Sequence, residues 1–222
     1  MRNALRVLLL AVGLAVAFGT SAGHAGTLVE FPNVSEHAPA KLLGYLARPD
    51  AGLSGMLGNH SNPAPYPAVV VLHGCGGISS HSARIADRIG SWGYVTLAVD
   101  SLGSRGSGIT SGCSGRSLDQ AFDAYAALHY LSQLDFVDAA RVAVIGQSMG
   151  GSAALYAVER GLAAQYFNER FRAAIAYYPN CVPGASMTAP TLVLSARPTS
   201  GTRPSGAAKW RSVHGRMAQR LP

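Results

Sequence analysis

The chain has 222 residues, 48% hydrophobic and 13% charged, with three cysteines and a formal net charge of +7. That is enough apolar material for one α/β domain with a real core, and too little cysteine for a disulfide scaffold. The charge does not mark a nucleic-acid binder. Arg2 and Arg6 sit at the start, and Arg197, Arg203, Lys209, Arg211, Arg216 and Arg220 at the end, while every acidic residue lies between Glu30 and Glu169. The span between is near neutral and shows no basic stripe with interleaved aromatics, so no nucleic-acid partner is expected.

Residues 1–25 have the parts of a secretory signal: Arg2 and Arg6, an apolar run over 7–18, then small residues up to Ala22 and Ala25. The run is short for a membrane span. The expectation is a secreted or periplasmic protein with no stable membrane span once the signal is removed. In such a compartment disulfides persist.

A domain is expected over 26–194. Residues 27–31 and 41–48 read as two antiparallel strands around a turn with Pro32, Asn33 and Pro39. Residues 50–67, rich in Gly, Asn, Ser and Pro, read as a surface loop. Residues 68–72, AVVVL, form a continuous apolar strand of the kind buried on both faces of a parallel sheet. His73-Gly74-Cys75-Gly76-Gly77 follows directly. A glycine-rich loop there lets backbone N–H groups approach a ligand. His73 is expected to order this loop by hydrogen bonding, with substrate contact as the alternative.

Residues 80–92 predict a helix with Ile85, Ile89 and Trp92 on one stripe. Residues 94–99 predict a strand ending at Asp100, which is expected to fix the loop after it. That loop, 101–115, is long and rich in Gly and Ser. It carries Arg105, a candidate for a substrate carboxylate, and Cys113. Residues 117–134 predict a helix opened by a Ser117/Gln120 capping box. Leu118, Ala121, Phe122, Tyr125 and Leu128 would lie on its buried face and His129 at the edge of the core.

The stretch 141–158, RVAVIGQSMGGSAALYAV, organises the rest. An apolar strand is followed by Gly146-Gln147-Ser148-Met149-Gly150, which fits G-x-S-x-G, and then by small residues in a helical pattern. That context makes Ser148 a candidate nucleophile at a sharp strand-to-helix turn. The N–H groups of Met149 and of Cys75, with Gly76 next, are the candidate oxyanion donors. Residues 173–178 and 191–195 predict two more strands. Cys113 and Cys181 each fall in a loop just after a strand, so a Cys113–Cys181 bridge is expected, leaving Cys75 a thiol. No Cys/His spacing fits a metal, and no cofactor is expected.

The strand followed by HGCGG, the segment 99–106, GQSMGG, and FRAAIAYYPNC followed by APTLVL together resemble the dienelactone hydrolase family of α/β-hydrolases. The likeness is to its secreted, serine-containing branch. It implies an α/β-hydrolase fold, a mostly parallel, doubly wound sheet, and hydrolysis of a small ester or lactone without a cofactor. Dienelactone hydrolases proper carry a cysteine where Ser148 stands and a glutamate near the loop that reads HGCGG here. Those departures argue against dienelactone itself as substrate.

The end departs further. No Asp or Glu follows Glu169, and His214 is the only histidine after Ser148. Where the resemblance implies an acid, a last helix and strand and a final histidine, residues 195–222 form a basic, non-homologous tail. It carries six cations and no anions, with neither a helix stripe nor a strand alternation. A shifted reading frame near Ser195 would explain it. The expectation is therefore an α/β-hydrolase lacking the last helix/strand unit and inactive or weakly active in this form. The alternatives are a catalytically incompetent hydrolase-fold protein or a secreted serine peptidase on the same fold.

Overall fold

The structure is a computed structural model that describes residues 26–33, 35–37, 39–49, 65–106, 116–180 and 186–195. The expectations for 1–25, for Cys113 and Cys181, and for the tail beyond Ser195 fall outside those residues.

Seven strands form one sheet: β1 (Thr27–Asn33), β2 (Ala40–Ala47), β3 (Tyr66–Leu72), β4 (Val95–Asp100), β5 (Val137–Gln147), β6 (Ala173–Tyr177) and β7 (Thr191–Leu194). Their order is β1-β2-β4-β3-β5-β6-β7. β1 and β2 form the expected antiparallel start, and β2 meets β4 antiparallel. β4, β3, β5, β6 and β7 run parallel.

Three helices flank the sheet: α1 (Ser80–Gly90), α2 (Arg116–Ser132) and α3 (Met149–Val158). α1 starts where Ser79 and Ser82 cap each other reciprocally. With α1, Ala86 and Ile89 pack on Val69, Val71 and Ala98 on one face of the sheet. On the other face α2 and α3 share a larger core with Val70, Leu72, Leu97, Val144 and Ala174. The β3 run AVVVL thus buries alternate residues against opposite helix layers, which is why it shows no polar alternation.

Two helix readings are corrected. Ser117 lies inside α2, and Gln120 is fully buried with its amide donating to the His73 carbonyl at 3.2 Å, so the pair does not cap the helix. His129 does not edge the core; it is exposed and meets Glu169 at 2.9 Å on the surface. Leu118 and Trp92 also lie exposed rather than packed. Among the described residues the sheet ends at β7, an edge strand with Leu192 and Leu194 exposed.

Candidate active site

Gln147 closes β5 and Met149 opens α3, so Ser148 alone makes the turn between them. Its backbone sits at φ 53°, ψ −118°, a region that L-residues other than glycine rarely occupy. The surroundings over-determine it. The Ser148 N–H donates to the Tyr177 carbonyl at the end of β6, 2.9 Å away, and the Ser148 carbonyl accepts from the Ser152 N–H at 3.0 Å. A Cβ on Gly146 would run into the Gly150 carbonyl, and one on Gly150 into the carbonyls of Leu72 and His73. The two glycines flanking the turn are thus steric requirements of a chain folded back on itself.

The Met149 N–H belongs to the first turn of α3, where amides have no intrahelical acceptor and the helix end is positive. Facing it is the loop after β3. A Cβ built on Gly74 would lie 3.6 Å from the Ser148 Cβ, so the HGCGG loop stands directly beside the serine. Gly77 closes a turn over Cys75 and Gly76, with its N–H donating to the Gly74 carbonyl at 3.1 Å and its own φ at 75°. The structure therefore brings Ser148, Met149, Cys75 and Gly76 to one end of the sheet, as the sequence suggests.

His73 is 2% exposed. Its Nδ1 is 2.7 Å from the Gly74 carbonyl, and its Nε2 accepts from the Ser101 N–H at 3.1 Å. A carbonyl can only accept and an amide can only donate, so these partners define a neutral ring with the proton on Nδ1. Burial pushes its pKa below the usual imidazole range, against the opposing influence of the Gly74 carbonyl and Asp100. With both nitrogens engaged, His73 ties the HGCGG loop to the loop after β4 and reaches neither the serine nor open solvent.

Arg105 is held just as firmly. Its guanidinium donates to both carboxylate oxygens of Asp123, at 2.7 and 2.8 Å, and to the Ser101 carbonyl at 2.9 Å. Asp123 is fully buried on α2 and also accepts from the Asn33 amide at 2.8 Å. The structure thus gives Arg105 a structural ion pair instead of an open carboxylate-binding role. Asp100 does fix its loop, accepting from the Gly103 N–H at 2.8 Å and, through its carbonyl, from the Ser104 hydroxyl.

Cys75 is disulfide-bonded, which corrects the expectation of a free thiol. It is also incompatible with Cys113 and Cys181 pairing with each other in the same molecule, since the chain has three cysteines. Both lie outside the described residues. Sequence reading also missed Tyr178. It has φ 36°, donates its hydroxyl to Gln147 Oε1 at 3.3 Å, and lies beside the turn. Nothing in a Tyr-Tyr-Pro sequence announces that strain.

Among the described residues, no histidine or carboxylate hydrogen-bonds the Ser148 side chain, and no group of His, Cys, Asp or Glu is placed to hold a metal ion. No described helix is long and apolar enough to cross a membrane.

The dienelactone hydrolase family model matches residues 53–196. An uncharacterized protein of Mycobacterium tuberculosis is 31% identical over 163 residues, covering 64% of this chain and 56% of that protein. A hydrolase fragment of Escherichia coli, YghX, is 33% identical over 95 residues, covering 43% of this chain and 71% of the fragment. The chain thus spans little more than half the length of its mycobacterial relative. Among solved structures, a dienelactone hydrolase-like promiscuous phosphotriesterase from metagenomic libraries superposes with a TM-score of 0.62 at 19% identity. It covers 86% of this chain and 77% of that one. The parallel sheet, the strained turn after β5 and a family match across more than half of the sequence agree: this chain belongs to the dienelactone hydrolase family and has the α/β-hydrolase fold.

Proposed function

We propose that this protein is a hydrolase of carboxylic ester or lactone bonds that uses Ser148 as nucleophile and passes through an acyl-enzyme. The observation that carries the reading is the Ser148 backbone, held at φ 53° in a turn with Gly74 of the HGCGG loop beside it. Strain of this kind persists where surrounding structure enforces it, and it aims the side chain outward from the strand end. The Ser148 oxygen would attack the acyl carbon while its proton passes to a base. The N–H groups of Met149 and of Cys75 or Gly76 would hold the oxyanion. Collapse of that intermediate would release the alcohol, and water would then cleave the acyl-enzyme.

The base is the incomplete part. A serine hydroxyl is a weak nucleophile until a neighbour removes its proton. His73 is not that neighbour, because both of its nitrogens are engaged. This favours a second reading, in which the described domain is a hydrolase with little turnover. Oxyanion stabilisation and binding alone leave roughly 10³–10⁴-fold acceleration over water. A fluorophosphonate probe tests the nucleophile, and acyl-ester turnover tests the base. Probe labelling that persists in Ser148→Ala would reject the assignment.

The site would act outside the cytoplasm. The disulfide at Cys75 supports that placement, since such bonds endure in oxidising compartments.

A further inference from the structure

Among the described residues other than glycine, Ser148 and Tyr178 have a positive φ. They stand at neighbouring strand ends, and only the first takes part in the chemistry proposed above. Tyr178 sits at φ 36°, directly before Pro179. A bulky residue rarely takes that conformation, and a following proline narrows its choices further.

The chain around Tyr178 is pinned on three sides. The Tyr177 carbonyl accepts from the Ser148 N–H at 2.9 Å, and the Tyr178 N–H donates to the Leu194 carbonyl at 2.6 Å. The Asn180 N–H donates to Ser152 Oγ on α3 at 2.9 Å. Strain enforced this firmly fixes where a side chain points. Glycine would adopt the same φ at no steric cost, so what tyrosine contributes at this position is its side chain.

That side chain does not fill the core, since Tyr178 is 55% exposed. Its hydroxyl donates to Oε1 of Gln147, the residue before the nucleophile, at 3.3 Å. The contact turns the carbonyl end of the Gln147 amide toward the tyrosine. The two N–H donors of that amide form no hydrogen bond among the described residues. A Cβ built on Gly74 would lie 3.9 Å from Gln147 Cγ, so the glutamine side chain also abuts the HGCGG loop. Gln147 and Tyr178 line one end of a groove of about 500 Å³ whose walls include the apolar Val71, Ile85, Ile89 and Ile145.

We propose that Tyr178 and Gln147 form the subsite for an aromatic part of an ester substrate. The Tyr178 ring packs against that part, and the Gln147 amide donates to a hydrogen-bond acceptor on it. The inference rests on Ser148 being the nucleophile, because it places the subsite next to the reacting serine. A clamped tyrosine offers a large apolar face with little freedom to lose, and ring–ring contact contributes beyond the area it buries. The substrate class is therefore an aryl ester or lactone that carries a carbonyl or hydroxyl group on its ring system.

Binding of 4-methylumbelliferyl acetate to the full-length Ser148→Ala variant tests the proposal. Adding Tyr178→Gly or Gln147→Leu should each weaken binding about 5-fold or more. Tyr178→Gly should do so with Tm level or raised, because glycine relieves the backbone. Hexyl acetate should compete about 5-fold more weakly than the aryl ester. Binding that neither substitution weakens would overturn the proposal, as would equal competition by hexyl acetate. Weaker binding with a lowered Tm in Tyr178→Gly would overturn it too, by giving the tyrosine a structural role. If Ser148 takes no fluorophosphonate label while binding still depends on both residues, the subsite stands and the nucleophile assignment falls. Should Tyr178→Gly fail to fold, the binding curve of Gln147→Leu decides.

Discussion

The carbonyl of Tyr177 on β6 receives the Ser148 amide at 2.9 Å, so the turn presenting the hydroxyl is pinned to the neighbouring strand. A strand end, a helix start and a third backbone meet within a few ångströms. That crowding explains both the strained serine and the glycines around it.

Gly150→Ala gives the sharpest test of the crowding. In an open helix this change stabilises by about 1 kcal/mol. Here the new methyl meets the backbone carbonyls of Leu72 and His73, which cannot rotate away. The sign should therefore reverse, with a loss of about 2 kcal/mol or more and a lower Tm. Thermal denaturation reads it, and an unchanged or raised Tm would contradict the packing described.

The Arg105–Asp123 pair links the loop after β4 to α2 beneath the site. Asp123 is fully buried, so Arg105→Met leaves a carboxylate short of its main partner. The expected loss is about 3–5 kcal/mol by chemical denaturation. Arg105→Met with Asp123→Leu should recover much of it, because the stranded charge is gone. Were Arg105 instead a substrate contact, Arg105→Met would raise KM and leave stability unchanged.

Burial holds the folded-state pKa of His73 below its unfolded value. Its contribution to stability is therefore present above about pH 6.5 and is lost as pH falls toward the folded value. Unfolding free energy measured from pH 7.5 to 5 should decline over that window. His73→Gln should be less stable at pH 7.5 and show a shallower decline. A parallel decline in the variant would assign the pH dependence to other groups.

The disulfide at Cys75 anchors the HGCGG loop. Reduction should lower stability by about 2–4 kcal/mol and weaken any labelling of Ser148. Peptide mapping without reduction should find Cys75 joined to Cys113 or Cys181. A Cys113–Cys181 peptide with Cys75 alkylated would contradict this.

The sheet was legible because its strands announce themselves: AVVVL, VAVI and AAIA are unbroken apolar runs, the pattern of strands inside a parallel sheet. Ser148 was legible because glycine, serine and small helical residues coincide at one turn. Partnerships set by long-range folding were not. Gln120 reads as a helix-cap residue until the His73 carbonyl arrives from 47 positions away. Arg105 reads as a free cation until α2 brings Asp123 beneath it. Cys75 reads as the odd thiol because sequence spacing cannot rank pairings between loops that only the sheet brings together.

The central claim concerns the oxygen of residue 148. Purified full chain should be treated with a fluorophosphonate, digested and mapped by mass spectrometry. One adduct on the peptide containing Ser148, absent from a folded Ser148→Ala variant, is the predicted result. A folded protein that takes up no label, or takes it elsewhere, would contradict the account.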